Sequence, residues 1–433
     1  MNLAIHWFRR DLRLEDNAAL HYALKSGIPV QPIFIFDTEI LNKLEDKSDA
    51  RVTFIHQELS RLKQELYDLG SDLLVYYGNP LELWPSILEE LQPSAVYTNR
   101  DYEPYANKRD KEVSSILLNR TIPFHTYKDH VIFEMDEVVK DDGSPYVVFT
   151  PYSRKWKATL TPYQLKPYPT EKYFNAFHKR TPTPLISLAE MGFQKRSIAF
   201  PPKSTTLSVI KNYEAHRDFP AIAGTSRLSL HLRFGTVSIR DKAAKGQKTS
   251  EKWLNELIWR DFYAHILHHF PHTAQGSFKP QYDQIKWSTN EEHFKAWCEG
   301  KTGYGLVDAG MRELNTTGFM HNRVRMVVAS FLTKHLLLDW RWGEAYFAKK
   351  LLDFDLASNN GGWQWAAGSG VDAAPYFRIF NPYTQIERFD SKHAYIKKWI
   401  PEWNTTAYPK EIVDHKTARE LCLATYKLGL EPK

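Results

Sequence analysis

Cysteine is almost absent from this chain of 433 residues. Cys298 and Cys422 stand far apart with no C-x-x-C spacing, which excludes a disulfide framework and a thiolate metal site and suits a reducing compartment. Long apolar runs are missing as well. The opening MNLAIHWFRRDLRLED reaches charged residues after a few apolar ones, so neither a signal peptide nor a membrane span is expected there. No later run approaches membrane length, and the expectation is a soluble cytoplasmic protein with no membrane partner. No G-x-G-x-x-G follows the first apolar run, which argues against a Rossmann dinucleotide site. No G-x-S-x-G elbow supports acyl transfer. GKTGYG (Gly300 to Gly305) resembles part of a phosphate loop, but Lys295 stands where that motif needs glycine and no strand precedes it. There is no internal repeat and no low-complexity tract. Charge is only mildly one-sided, at +6 with a pI near 8.9, a weak bias toward polyanions.

Aromatic residues are abundant instead. Ten of the 13 tryptophans lie between Trp253 and Trp403, a concentration open to three readings: core, stacking platform or redox relay. The N-terminal part alternates short apolar runs with amphipathic helices. Strands are expected at Leu3 to Phe8, Val30 to Phe36, Asp72 to Tyr77, Ser94 to Asn99 and Phe124 to Tyr127. A helix is expected from Arg51 to Leu69, where Ile55, Leu59, Leu62 and Leu66 recur at helical spacing. Alternation of this kind predicts an α/β domain, a doubly wound parallel sheet, over 1–133. Prolines accumulate over 134–203, read as an interdomain connection whose stretch VVFTPYSRKW packs against a domain. From 204 to 433 helical period dominates and an all-α domain is expected.

Several clusters carry chemistry. AHILHHFPH places His265, His268 and His269 on neighbouring helical positions, but no carboxylate completes a zinc pattern, so no metal site is expected. In WLNELIWRDFY, Trp253, Glu256 and Arg260 fall at i, i+3 and i+7, with Trp259 beside them. A carboxylate on an aromatic face must be paired or employed, and both readings stay open here. In FMHNRVRM, Asn322 and Met326 share a face while Arg323 and Arg325 diverge, compatible with one side reading a ligand and the other holding phosphate. LLDFDLASNNGGWQWAAGSGVDAAPYFRIFNP crowds Asp353, Asp355 and Asn359 beside two tryptophans, and such polar groups need partners if buried.

Together with HWFRRDLRLEDNAAL, GTSRLSLHLRFG, TGYGLVDAGMRELNTTGFMHNRVRM, DWRWGEAYF and YPKEIVDHK, in this order, these segments resemble the photolyase/cryptochrome family. The resemblance spans nearly the whole chain and is weakest between about 134 and 200. It implies a helical C-terminal domain that binds FAD. Tyr213 and the run Thr225, Ser226, Arg227, Leu228 and Ser229 would hold its ribityl and pyrophosphate portion. Trp253 and Asn255 would line the cavity, Arg325 and Asp353 would pair beside the isoalloxazine, Asp355 would complete the floor, and Asn359 would face flavin N5. The implied substrate is UV-damaged DNA with a pyrimidine pair turned out of the duplex. Glu256 would hydrogen-bond the dimer, Trp259 would stack on it, and Asn322 and Met326 would border it. Arg217, Arg260, Arg323, Arg378 and Gln385 would meet DNA backbone or lesion edges. Trp363, Trp340 and Trp287 would form an electron relay to the flavin, with Trp365 and Trp342 as packing neighbours.

Within the family, (6-4) photolyases carry histidines where this chain has Asn322 and Met326, and neither of these can act as the acid that lesion requires. Animal and plant cryptochromes usually add a long signalling tail that is not found after YPKEIVDHKTARELCLATYK. The resemblance therefore implies a monomeric, cytoplasmic enzyme with access to the chromosome, most like a class I cyclobutane pyrimidine dimer photolyase. An antenna chromophore, whether deazaflavin, flavin or folate, is left open. Folate-binding relatives present an Asn-Glu pair where this chain has Tyr105 and Ala106.

Overall fold

A computed structural model describes residues 2–431. Five strands form one parallel sheet: β1 (Ala4–Phe8), β2 (Val30–Asp37), β3 (Leu74–Gly78), β4 (Ala95–Asn99) and β5 (Phe124–Tyr127), in the order β3-β2-β1-β4-β5. Every neighbouring pair is parallel. The five expected strands are all present, with ends that shift by two residues at most, and the expected long helix runs Ala50–Asp68.

The sheet is buried on both faces, and the alternation of β1 shows how. Ala4 and Phe8 join Leu59, Leu62 and Leu66 of the Ala50–Asp68 helix and Leu20 and Leu24 of the Ala18–Lys25 helix. Ile5 and Trp7 point the other way, to Ile87 and Leu88 of the Pro80–Leu91 helix and Val113 and Leu117 of the Pro104–Leu118 helix. The central strands are thus largely apolar on both faces, as a doubly wound parallel sheet requires. Caps fix where these helices begin: the side chains of Asn17, Asp49 and Asn79 accept from Leu20, Arg51 and Leu81 backbone N–H groups.

By contacts the chain falls into two compact units. The first comprises Met1–Glu134, Thr159–Ser204 and Arg227–Lys248; the second comprises Met135–Ala158, Thr205–Ser226 and Thr249–Lys433. Among the described residues no strand follows Tyr127, and the second unit is helical. Its core gathers Trp297, Leu306, Val307, Met311, Val324, Val328, Trp340, Phe347 and Trp363.

A buried ionic lattice ties the segment Arg227–Lys248 into the first unit. Asp129 accepts from Arg13 and from Arg240, both at 2.7 Å, and Arg240 reaches Asp16 at 2.8 Å. Gly235, at φ +61°, brings its Cα so close to Arg10 and Asp11 that a Cβ would lie 2.1 Å from the Arg10 carbonyl oxygen. Arg13 donates to the Gly235 carbonyl (2.8 Å), and Leu12 N–H to that of Phe234 (3.1 Å). The motifs WFRRDLR and HLRFG are therefore two halves of one joint.

Burial opposes charge on Asp129, but Arg13 and Arg240 outweigh it and hold the carboxyl below its ordinary value. A depressed carboxyl stabilises the fold at neutral pH and ceases to do so as pH falls through its folded value. Arg240→Met should accordingly cost about 3–5 kcal/mol at neutral pH. In urea denaturation the gap to wild type should narrow on acidification; a gap independent of pH would count against the ion lattice as its origin.

Candidate active site

The Glu251–His269 helix organises the second unit's polar cluster. Ser250 caps it by accepting from Trp253 N–H (3.3 Å), and Trp253, Leu254, Leu257, Ile258 and Phe262 are buried. Glu256 keeps a half-exposed side chain, ion-paired with the Arg217 guanidinium. Arg217 in turn lies over the Tyr213 ring, 5.3 Å from its centroid. Burial pushes the Glu256 carboxyl above its usual value, and Arg217 opposes that rise. The carboxylate is therefore paired, yet poised toward its neutral form.

Beside it, the Asn322–Ser330 helix begins at His321, whose Nδ1 accepts from Arg323 N–H at 3.2 Å. His321 is buried, and burial lowers its pKa to about 4, so its ring is neutral at physiological pH. Arg323 pairs with Asp218 (2.9 Å) and approaches the Met326 sulfur (3.7 Å). Asn322 is exposed and Met326 half-buried. One turn along, Arg325 donates to the Met320 carbonyl (2.8 Å) and pairs with Asp353 at 3.0 Å.

Asp355 caps the Leu356–Ala367 helix, accepting from Ser358 N–H and Oγ at 3.1 and 2.9 Å. Asn359, one turn in, gives its amide to Glu344 Oε1 (2.8 Å) and to the Glu344 carbonyl (3.1 Å). Burial raises the Glu344 carboxyl, with the Asn359 bond opposing. Asn255 has a buried Oδ1 with no protein partner, and so does Gln385 at Oε1. Arg260 is half-buried, and Arg378 is exposed beside the exposed Phe377.

The hydroxyl run is divided between the units. Thr225 and Ser226 close a segment of the second unit, half-buried; Arg227, at φ 52°, buried Leu228 and Ser229 belong to the first.

Of the three proposed relay members, Trp363 and Trp340 are buried and Trp287 is half-buried. Trp363 meets Phe347 and Trp297 edge-on at 5.0 and 6.0 Å. A Cβ at Gly343 would lie 2.1 Å from the Trp363 ring, so only glycine fits there. Trp287 meets Tyr426 edge-on at 5.8 Å.

Sequence reasoning missed Asp218, His321 and Glu344. Glu344 had a visible signal, as the one carboxylate inside the aromatic run RWGEAYF. Asp218 had none, because its partner Arg323 lies 105 positions away. The histidine cluster also changes: Asp136 approaches His268 and His269, with one ligand atom from each within 4.8 Å of the others. His265 instead is buried, its Nδ1 3.3 Å from the Met135 carbonyl, and burial lowers its pKa to about 4.

Comparison with known proteins accords with this architecture. Residues 4–172 match the model described as DNA photolyase, and residues 253–407 that described as the FAD binding domain of DNA photolyase. A deoxyribodipyrimidine photo-lyase of Synechococcus sp. is 39% identical, over 94% of this chain and 90% of that protein. A bacterial class III photolyase from Agrobacterium tumefaciens superposes with a TM-score of 0.89 at 32% identity, covering 100% of this chain and 98% of that one. An archaeal photolyase from Sulfolobus tokodaii, solved with two FAD molecules, gives 0.80 at 34% identity, covering 98% and 100%. This chain belongs to the DNA photolyase family.

The raised Glu256 value has a thermodynamic consequence. Its contribution to stability is fully present below the unfolded glutamate value and is lost as pH rises through the folded one. Melting temperature should therefore fall over that window, more steeply in Arg217→Met and without this slope in Glu256→Gln. Identical pH profiles for wild type and Glu256→Gln would show that the carboxyl titrates as if unfolded.

Proposed function

We propose that this protein is a light-driven DNA repair enzyme that splits cyclobutane pyrimidine dimers, with FAD as its cofactor. The observation that carries the reading is Glu256: a carboxylate beside Trp259, paired with Arg217 and raised toward its neutral form, in a chain of the photolyase family.

The residues present fit the cofactor. Asn255 offers a buried acceptor that the protein leaves unpaired, Arg325 and Asp353 form a fixed pair, and Tyr213 is buried. In this reading Tyr213, Thr225, Ser226, Trp253, Asn255, Arg325, Asp353, Asp355 and Asn359 hold FAD. When bound, reduced FAD would supply light-driven one-electron chemistry that leaves no net redox change.

The chain's own side chains do the rest. Glu256 hydrogen-bonds the dimer and stabilises it as it gains charge, and this favours the reacting state over the resting one. Trp259 gives the dimer a flat apolar surface that excludes water. Asn322 and Met326 border it and supply no acid. Arg217, Arg260, Arg323, Arg378 and Gln385 meet phosphate or base edges, so binding weakens as salt rises. Glu344 holds the Asn359 amide in one orientation. Trp363, Trp340 and Trp287 deliver electrons from the surface by successive oxidation of indoles.

A second, light-harvesting chromophore, deazaflavin, flavin or folate, belongs to the same reading. The positions of the folate pair are not disposed toward folate: Tyr105 donates its hydroxyl to Asp37 (2.7 Å), and Ala106 is buried. The absorption spectrum of the purified protein distinguishes the three. We place the enzyme in the cytoplasm as a monomer; no helix among the described residues is long and apolar enough to cross a membrane.

Reduced protein mixed with dimer-containing oligonucleotide should restore thymine absorbance under near-UV or blue light and leave it unchanged in darkness; no light-dependent recovery sinks the proposal. Glu256→Ala should slow repair at least roughly tenfold, the worth of one hydrogen bond to a charged group, while retaining FAD. Trp287→Phe should slow photoreduction of oxidised FAD and spare repair by enzyme already reduced, whereas unchanged photoreduction would remove Trp287 from the relay.

A further inference from the structure

The closest ring stack around this site is not within the Glu251–His269 helix but upon it. Phe149 lies on Trp259 with centroids 3.7 Å apart and planes 3° from parallel. Aromatic pairs left to themselves prefer offset or edge-on arrangements to such a sandwich, so the surroundings must impose it.

The constraint comes from the Phe149–Thr159 helix, which Phe149 opens. Trp156, fully buried, donates its indole N–H to Asp261 (3.0 Å). Tyr152 packs on Phe262 and His265 at 5.1 and 5.2 Å. The Phe149 backbone N–H reaches Asp372 Oδ2 at 3.4 Å. Contacts from three residues spaced along one helix thus fix where the Phe149 ring stands.

Helix geometry tells which side of the indole is covered. At about 100° per residue, Trp259 lies roughly 60° around the helix from Glu256, and Phe262 about as far again in the same sense. Phe149 touches both Trp259 and Phe262, the latter edge-on at 5.9 Å. It therefore covers the flank of the indole turned away from Glu256. Tyr263, back toward Glu256, leans on Trp259 at 5.5 Å and a tilt of 33°; a Cβ on Gly361 would lie 2.2 Å from its ring, so it too has little room to move.

We propose that Phe149 is a positioning residue for lesion recognition: together with Tyr263 it clamps the Trp259 indole so that the part of the ring left uncovered is held ready for the dimer. This rests on the stacking role given to Trp259 above. A pyrimidine dimer stacking on an indole free to rotate must first immobilise it, and the clamp removes that requirement before binding.

The test uses FAD-loaded protein and measures, in darkness at fixed salt, affinity for dimer-containing and for undamaged oligonucleotide, then repair rate at saturating substrate. Phe149→Ala should weaken dimer affinity roughly three- to tenfold, in line with the worth of one aromatic pair. Undamaged-DNA affinity, FAD content and the saturated repair rate should stay near wild type, and Phe149→Tyr should restore dimer affinity. If Phe149→Ala loses FAD or cooperative melting, Phe149→Leu carries the test, since it keeps bulk and loses the flat face. Wild-type dimer affinity in whichever of the two variants folds, with affinity lost in Trp259→Ala, overturns the clamp alone. Wild-type affinity in Trp259→Ala as well overturns the stacking role on which it rests.

Discussion

The ion pair between Arg217 and Glu256 is the interaction on which the site depends. A glutamate projecting from a helix whose neighbouring positions are Trp253, Leu257, Trp259 and Tyr263 is partly withdrawn from solvent, and that burial pushes its carboxyl up. Arg217 opposes the rise without cancelling it. A carboxyl balanced in this way can present a proton to a ligand or accept from one, and the guanidinium beside it is equally suited to phosphate.

Around that pair the second unit repeats one device, in which one polar side chain is held in place by another. Asp218 holds Arg323, Asp353 holds Arg325, and Glu344 holds the amide of Asn359. Phe149 does for the indole of Trp259 by stacking what the carboxylates do by charge. Such support reduces the freedom that a ligand would otherwise have to freeze, and it explains why so many polar residues cluster within an otherwise aromatic unit.

The first unit solves a different problem. Its sheet packs largely apolar side chains on both faces, and beside that packing the unit contains a buried lattice of Asp16, Asp129, Arg13 and Arg240. Those charges fasten the segment Arg227–Lys248, remote in sequence, to the end of β1. A hydrophobic joint of equal size would have been no weaker; the ionic one admits a single register, reinforced by Gly235 against the Arg10 backbone.

What the sequence determined by itself was whatever depends on local period and residue type. Five strands and the Ala50–Asp68 helix were legible because alternation and 3.6-residue spacing are imposed by the backbone, and the helical second half was legible for the same reason. The order of motifs disclosed the family. Tertiary structure decided the partnerships. That Glu256 meets Arg217, that Asp136 is brought to His268 and His269, that WFRRDLR meets HLRFG, and that Phe149 covers Trp259 all depend on residues separated by tens to hundreds of positions. No local period encodes such a meeting, because it is fixed by how whole helices and strands pack. A tryptophan in the sequence is therefore only an indole; whether it serves as core, platform or relay is settled by what surrounds it.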